Sequence, residues 1–266
     1  MSEVVKIGNA TLYLGESLEV LQSLEPGSVD AVITDPPYSS GGMVRGDRVM
    51  GVHAKYVSTD SGSGNALVGF GGDTRDARSY GYWMALWLSE CMRVVRPGGV
   101  AALFTDWRQL PVTCDQLQAG GFVWRGILPW NKPGSRPTQG RWANSCEYVV
   151  WGTNGPRSFD ELGGATLPGF FDEPTPRDRA HITQKPIGIM RSLVRIVPRG
   201  SVVLDLFMGG GTTGVACALE GRRFIGVEMT QHHFDSACQR IEQAGLQGDL
   251  LSHEAVPAAQ QLEMDT

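Results

Sequence analysis

Two short stretches hold residues whose types and spacing could do chemistry. The first is Asp35-Pro36-Pro37-Tyr38, which ends an apolar run. A proline after Asp35 pushes that residue toward an extended conformation. Two successive prolines fix φ and remove two backbone donors. What remains is a rigid edge of acceptors, the Asp35 carboxylate and the Pro36 carbonyl, beside the aromatic face of Tyr38. Such an edge accepts hydrogen bonds from an amino group and stacks a planar ring. An exocyclic amine on a base is a poor nucleophile because its lone pair is delocalised into the ring. Two acceptors drawing on its hydrogens would localise that lone pair. A strand-ending turn with a core tyrosine is the plain alternative.

The second stretch is VVLDLFMGGGTTGVACALEGRRFIGVEM, a complete strand-loop-helix-strand unit. Gly209, Gly210 and Gly211 let the backbone turn sharply and approach a ligand without a Cβ clash. Thr212 and Thr213 open a helix whose first N–H groups are free to bind. Glu228 ends the following strand, 23 positions after Asp205. An acid at about that separation takes ribose hydroxyls in nucleotide-type pockets. Asp205 beside the loop would repel a phosphate but suits an ammonium or a sulfonium. The lysine of a GxxxxGK[ST] phosphate loop is missing. The ligand that satisfies both conditions bears an adenosine and is cationic at its reactive end, as S-adenosylmethionine is.

These stretches need elements to hold them. TLYL, VDAVIT, VAALFTD, VWRGILPWNK, CEYVVWGT, SVVLDLF and RFIGVEM read as strands. VDAVIT and SVVLDLF are continuous apolar runs, the pattern of parallel strands buried on both faces. Helices are expected over LEVLQSL with Ser17 as N-cap, over ARSYGYWMALWLSECMRVV, with apolar residues at Trp83, Leu86, Trp87, Val94 and Val95 and a stop at RPGG, and over WRQLPVTCDQLQA. Three more fall over PIGIMRSLVRIV, TTGVACALEGR and HHFDSACQRIEQAG. Strand and helix alternate, so the fold class is α/β with a doubly wound, mostly parallel sheet. A glycine-rich stretch of mixed charge reads as a long mobile loop over 39–79. Residues 154–179 break the α/β rhythm and read as an insertion.

Composition narrows the partners. The chain of 266 residues is 41% hydrophobic, enough for one sizeable core. Its five cysteines show neither CxxC nor Cys/His spacing, so neither a disulfide framework nor a metal site is expected. The opening MSEVVKIGNA lacks a basic start followed by an apolar stretch, and no apolar run approaches ~18 residues. A cytoplasmic protein is the expectation. The net charge is -5, yet residues 121–200 hold eleven Lys/Arg against six acids, +5 in all, which leaves -10 for the remainder. A basic middle in an acidic chain points to a local anionic partner or a solvated basic face.

Together the two sites resemble the β class of S-adenosylmethionine-dependent DNA amino-methyltransferases, which modify N6 of adenine or N4 of cytosine. DPPY matches their catalytic motif and DLFMGGGTTG their cofactor loop. HITQKPIGIM is similar to the lysine-proline segment before that loop, and RVVRPGGVAALFTDWR to the strand after the catalytic motif. The likeness runs from about Thr11 to Glu242. The catalytic motif precedes the cofactor loop, the circularly permuted order of that class. Departures are Leu206 and Gly210 in the loop, Ile182 in the lysine segment, and Glu16 where the family mostly has aspartate.

The resemblance implies a Rossmann-like methyltransferase fold and a role for each motif residue. Asp35 and Pro36 accept from the target amine, Pro37 stiffens the edge and Tyr38 stacks on the base. Glu16 reaches the adenine edge and Asp205 holds the methionine ammonium. Phe207 lies near the sulfonium, and Gly209, Gly211, Thr212 and Thr213 line the pocket. Glu228 takes the ribose and Lys185 neutralises the methionine carboxylate. Duplex DNA is the expected partner, with the base flipped out, and a homodimer is the expected assembly, with no metal and no membrane. DNA contacts are expected from Arg45 and Arg48 in the long loop, and from Lys132, Arg136, Arg141, Trp142, Arg177 and Arg179, with Arg157 beside them. The implied organisation is 1–150 as catalytic half, 151–180 as target-recognition insertion, 181–245 as cofactor half and 246–266 as a tail. Asp35 favours adenine N6, because the family's cytosine enzymes mostly carry serine there. Cytosine N4, an RNA substrate and a DNA-binding regulator without catalysis remain as alternatives. The protein is expected near the nucleoid, in the manner of restriction-modification methylases.

Overall fold

The computed structural model describes residues 3–38, 76–134, 139–140, 142–176 and 185–254. Among these residues nine strands form one sheet: β1 (Glu3–Ile7), β2 (Ala10–Leu14), β3 (Val29–Thr34), β4 (Val95–Thr105), β5 (Val123–Asn131), β6 (Cys146–Thr153), β7 (Phe171–Asp172), β8 (Val202–Asp205) and β9 (Arg223–Glu228). Their order across the sheet is β1-β2-β9-β8-β3-β4-β6-β5-β7. The middle run β2-β9-β8-β3-β4 is parallel. β1 is antiparallel to β2, and β6 is antiparallel to both β4 and β5.

Helices cover both faces because the central strands are apolar on both sides. One face takes α1 (Ser17–Ser23), α2 (Ala77–Val94) and α3 (Leu110–Ala119). The other takes α4 (Ile187–Val194), α5 (Thr212–Glu220) and α6 (Gln231–Glu254). Successive strand residues face opposite ways, as the pleat requires. Val32 and Leu204 join the α1-α2-α3 core, whereas Ile33 and Val203 join the α4-α5-α6 core. The expected doubly wound α/β sheet is therefore present.

Three boundaries differ from the sequence reading. Helix α2 begins at Ala77, so the stretch expected as loop over 39–79 includes the first helical turn. Asp76 caps that turn, accepting from Arg78 N at 3.0 Å and Ser79 N at 3.1 Å. Residues 39–75 of that loop lie outside the described residues. Arg96-Pro97-Gly98-Gly99 does not simply end a helix. It enters β4 at a register shift, with Gly98 at φ 75° and bonds from Gly98 N to Asn154 O and from Asn154 N to Gly99 O. Within the irregular 154–176 region, β7 adds to the sheet edge beside β5. The two edge strands, β1 and β7, were not foreseen.

Candidate active site

Four acids stand at or just past the carboxyl ends of four adjacent parallel strands. In sheet order they are Glu16 after β2, Glu228 ending β9, Asp205 ending β8, and Asp35 after β3. Ligands in open α/β sheets bind at this edge. The two sequence motifs, 170 positions apart between Asp35 and Asp205, are thus brought side by side. Thr34 joins them, its Oγ1 donating to Asp205 Oδ1 at 2.6 Å.

Asp205 is buried. It also accepts from Thr213 Oγ1 and from Phe207 N at 3.1 Å. No lysine or arginine pairs with it among the described residues. Burial pushes its carboxyl up to about 6, and the Thr213 and Thr34 hydrogen bonds only partly oppose that shift. The glycine loop folds around it. Gly209 and Gly211 adopt positive φ of 50° and 76°, the left-handed region that favours glycine. A Cβ at Gly211 would lie 2.8 Å from the Cβ of Ala237 on α6, so helix packing as well as the turn demands glycine. Gly211 N-caps α5 without a side-chain cap, and Gly209 N donates to Glu228 Oε2 at 3.1 Å.

Glu16 accepts from Leu18 N at 2.7 Å and Glu19 N at 3.3 Å, so it caps α1. It also lines a pocket with Ser17, Leu18, Trp83, Leu86, Trp87 and Phe207. The Phe207 ring sits 5.5 Å from Trp83 and 5.6 Å from Trp87, between centroids. From the sequence the tryptophans read only as apolar positions of a helix. Their period-of-3.6 placement gives no sign that one edge of α2 faces the glycine loop.

At the catalytic motif the structure adds partners that were not foreseen. Lys185, just before α4, is 6% exposed and places Nζ 2.6 Å from Asp35 Oδ2. The same Nζ lies 3.3 Å from Glu147 Oε2, and Glu147 Oε1 accepts from Lys132 Nζ at 2.8 Å. Lys185 Nζ sits 5.3 Å from the Tyr38 ring centroid and 5.1 Å from that of Phe104. Tyr38 Oη is 3.5 Å from Glu147 Oε2, the outer limit of a hydrogen bond. Asp35 Oδ1 is buried and has no hydrogen-bond partner of ordinary geometry among the described residues, while the Tyr38 hydroxyl nearby helps to hold the Asp35 carboxylate ionised. Burial raises the Asp35 carboxyl above the ordinary aspartate value, against the pull of Lys185. Burial opposes the Lys185 charge, but Asp35 and Glu147 outweigh it and hold the ammonium above the ordinary lysine value. Burial opposes the Glu147 charge too, and Lys185 and Lys132 outweigh it and hold that carboxyl low. The sequence placed Lys185 at the cofactor carboxylate; here its partners are two protein carboxylates.

Of the residues expected at DNA, Trp142 is 95% exposed and Lys132 is engaged with Glu147. Arg45, Arg48, Arg136, Arg141, Arg177 and Arg179 lie outside the described residues. Arg157 binds Glu161 at 2.7 Å and Gly98 O at 3.0 Å, at the amino end of β4, so it braces the end of the sheet opposite the acids. Trp107 and Arg108, just past the carboxyl end of β4, form an exposed stacked pair with the guanidinium 5.2 Å from the indole centroid.

A family model described as DNA methylase, of the N6/N4 methyltransferases, matches residues 29–162 and 150–239. The chain belongs to this family. Among relatives, this DNA methylase is 27% identical over 277 residues to the type II methyltransferase M.Cfr9I of Citrobacter freundii, across 91% of the chain and 90% of the relative. Its fold matches the crystal structure of the M1.HpyAVI–SAM complex with a TM-score of 0.62 at 23% identity, covering 87% of this chain and 98% of the other. It also matches the cytosine-N4-specific PvuII DNA methyltransferase with a TM-score of 0.65 at 17% identity, covering 88% and 87%. Among the described residues no group of three His, Cys, Asp or Glu could hold a metal, and no helix is long and apolar enough to cross a membrane.

Proposed function

We propose that this DNA methylase methylates the N6 amine of adenine in duplex DNA, with S-adenosylmethionine as donor. The observation that carries the reading is Asp35 Oδ1, a buried carboxylate oxygen left without a partner one strand away from Asp205. A buried acceptor without a donor is costly, so it is expected to meet one in the working complex.

The residues present fit the donor. Asp205 is buried, lacks a cationic partner among the described residues, and suits the ammonium of a methionine moiety. Glu228 stands where a ribose would offer hydroxyls. Glu16, Trp83, Trp87 and Phe207 wall a pocket that suits a purine ring, and Phe207 offers a π face to a sulfonium. Gly209, Gly211, Thr212 and Thr213 form the floor. Bound there, S-adenosylmethionine supplies an activated methyl group. That the neighbour M1.HpyAVI was solved as a SAM complex supports this choice.

Asp35 Oδ1 and the Pro36 carbonyl accept from the amine, which localises its lone pair, and Tyr38 stacks on the ring. The amine is hidden in a paired duplex, so the base must leave the stack, at a cost of a few kcal/mol. Trp142, Lys132, Arg45, Arg48, Arg136, Arg141, Arg177 and Arg179 are the proposed DNA contacts, and Arg157, which braces the opposite end of the sheet, is not among them. A circularly permuted chain is also proposed, supported by β8 lying mid-sheet though it comes late in sequence. The fold does not choose the base, since the cytosine-N4-specific neighbour shares it; Asp35 favours adenine.

Incubation with methyl-labelled cofactor and duplex DNA, followed by nucleoside analysis, tests the reading. N6-methyladenine is expected. N4-methylcytosine would overturn the base assignment, and DNA binding without label transfer would overturn the enzyme reading.

A further inference from the structure

Four buried or half-buried charges form a row around Asp35: Lys132, Glu147, Lys185 and Asp35 itself, joined at 2.8, 3.3 and 2.6 Å. The signs alternate and the row is neutral when every member is ionised. Of the two Asp35 oxygens, Lys185 pairs with Oδ2, while Oδ1 stays open. We propose that Lys185 and Glu147 are positioning residues for the acceptor carboxylate: Lys185 pins Oδ2 of Asp35, Glu147 holds Lys185 from its far side, and Oδ1 is thereby turned to the target amine. The proposal deepens the methyltransferase reading and rests on it for its catalytic consequence.

The geometry gives each member a reason. A carboxylate rotating freely about its Cβ–Cγ bond would present either oxygen. A short ion pair to one oxygen fixes the plane and leaves the other at a defined place. Lys185 reaches Asp35 from outside β3, from the turn before α4, and its aliphatic stem is buried. The rings of Tyr38 and Phe104 flank the ammonium, so it has little room to swing away.

Glu147 answers a second need. When the amine gains a methyl group it must lose one N–H proton. If Asp35 Oδ1 takes that proton, the N–H bond breaks, an O–H bond forms and Asp35 becomes neutral. Lys185 would then be a buried ammonium without a counter-charge, a costly state. Glu147 at 3.3 Å supplies that counter-charge in both protonation states of Asp35. Lys132 in turn compensates Glu147. Other titratable groups facing Asp35 are Tyr38 on its own segment and Asp205 on β8, while Asp106 past β4 faces Tyr38. The Tyr38 hydroxyl supports the Asp35 charge by a hydrogen bond but carries no positive charge, and the two acids bring none, so none of the three replaces Lys185.

This arrangement predicts a division of labour different from a cofactor-carboxylate role for Lys185. The full-length protein, Lys185→Met, Lys185→Arg and Glu147→Gln are compared. Asp35 is titrated by carbon NMR of aspartate-labelled protein, its signal assigned by its loss in Asp35→Asn. Lys185→Met is expected to raise the Asp35 midpoint by on the order of 1–3 pH units. The acid limb of the methyl-transfer profile should move with it, and Lys185→Arg should restore most of the shift. Glu147→Gln is expected to lower turnover about tenfold with cofactor affinity, by calorimetry, changed less than about threefold. Should Lys185→Met not fold, Glu147→Gln takes its place in the titration: loss of that negative charge should lower the Asp35 midpoint, and an unmoved midpoint would overturn the proposal. An unmoved Asp35 midpoint with a tenfold loss of cofactor affinity would overturn the proposal and return Lys185 to the cofactor. A wild-type protein that shows the Asp35 shift yet labels no DNA would instead sink the methyltransferase reading and leave the ion pair standing.

Discussion

Cofactor affinity should fall as pH drops through about 6, and Asp205 is the reason. Its carboxyl is held at about 6 by burial, and its partners Thr34, Thr213 and the Phe207 N–H are all neutral donors. The ammonium of the cofactor needs the ionised form. For a group of that pKa the ionised fraction falls from about nine-tenths at pH 7 to about one-tenth at pH 5. The affinity should fall about tenfold over that range, about 1.4 kcal/mol. The sign for stability is opposite. A folded pKa above the unfolded value of 3.8 means that the folded protein binds more protons between these limits. Asp205 therefore stabilises the empty protein as pH falls toward 4, and that contribution is lost as pH rises through about 6. A weaker cofactor at pH 5 thus cannot be ascribed to unfolding through this residue. Calorimetric titration between pH 5 and 7 reads the slope, and Asp205→Asn should be weaker at pH 7 and nearly flat. A wild-type affinity that is level across the range, or an Asp205→Asn slope equal to wild type, would refute the assignment of Asp205 to the ammonium.

Three further outcomes are expected. Asp35→Ala should abolish methyl transfer while leaving cofactor affinity within about threefold; retained turnover would remove Asp35 from the acceptor edge. Gly211→Ala should lower stability by about 2 kcal/mol or more in urea unfolding. A left-handed alanine alone costs about 1–2 kcal/mol, and its Cβ would press on Ala237 at 2.8 Å; a change below about 0.5 kcal/mol would contradict the packing described. Trp87→Ala should cost about 3–5 kcal/mol of stability because Trp87 is fully buried. Trp83→Ala, half-buried at the pocket, should weaken cofactor binding several-fold with a smaller loss of stability, and an unchanged cofactor affinity would show that the pocket is not where the purine sits.

The central strands were legible because burial on both faces leaves one sign, an unbroken β-branched run, as in VDAVIT and VVLD. The edge strands were not. EVVKI is polar and apolar by turns at the chain start, and Phe171-Asp172 is two residues long, held in place by its neighbour β5 rather than by its own pattern. Likewise RPGG read as a helix stop because proline and glycine usually punctuate. Only pairing across to Asn154 turns it into the start of β4.

The site divides along the same line. Asp35, Asp205 and Glu228 could be found because each closes a strand, and strand ends of one parallel sheet meet at one edge. Glu147 is the second residue of its strand, β6. In a parallel strand that would place it at the far end, away from the acids, and nothing in CEYVVWGT states its direction. β6 runs antiparallel to β4, however, so its first residues arrive at the same edge where β3 and β8 finish. The residue that compensates Lys185 is therefore supplied by a reversal of strand direction, a property of topology rather than of local sequence. A change of direction also explains why Lys132, just past the end of β5, meets it, since β5 is antiparallel to β6. Two strands outside the parallel core thus bring Glu147 and Lys132 to a site where the parallel strands themselves end in carboxylates and Lys185 arrives from the turn before α4.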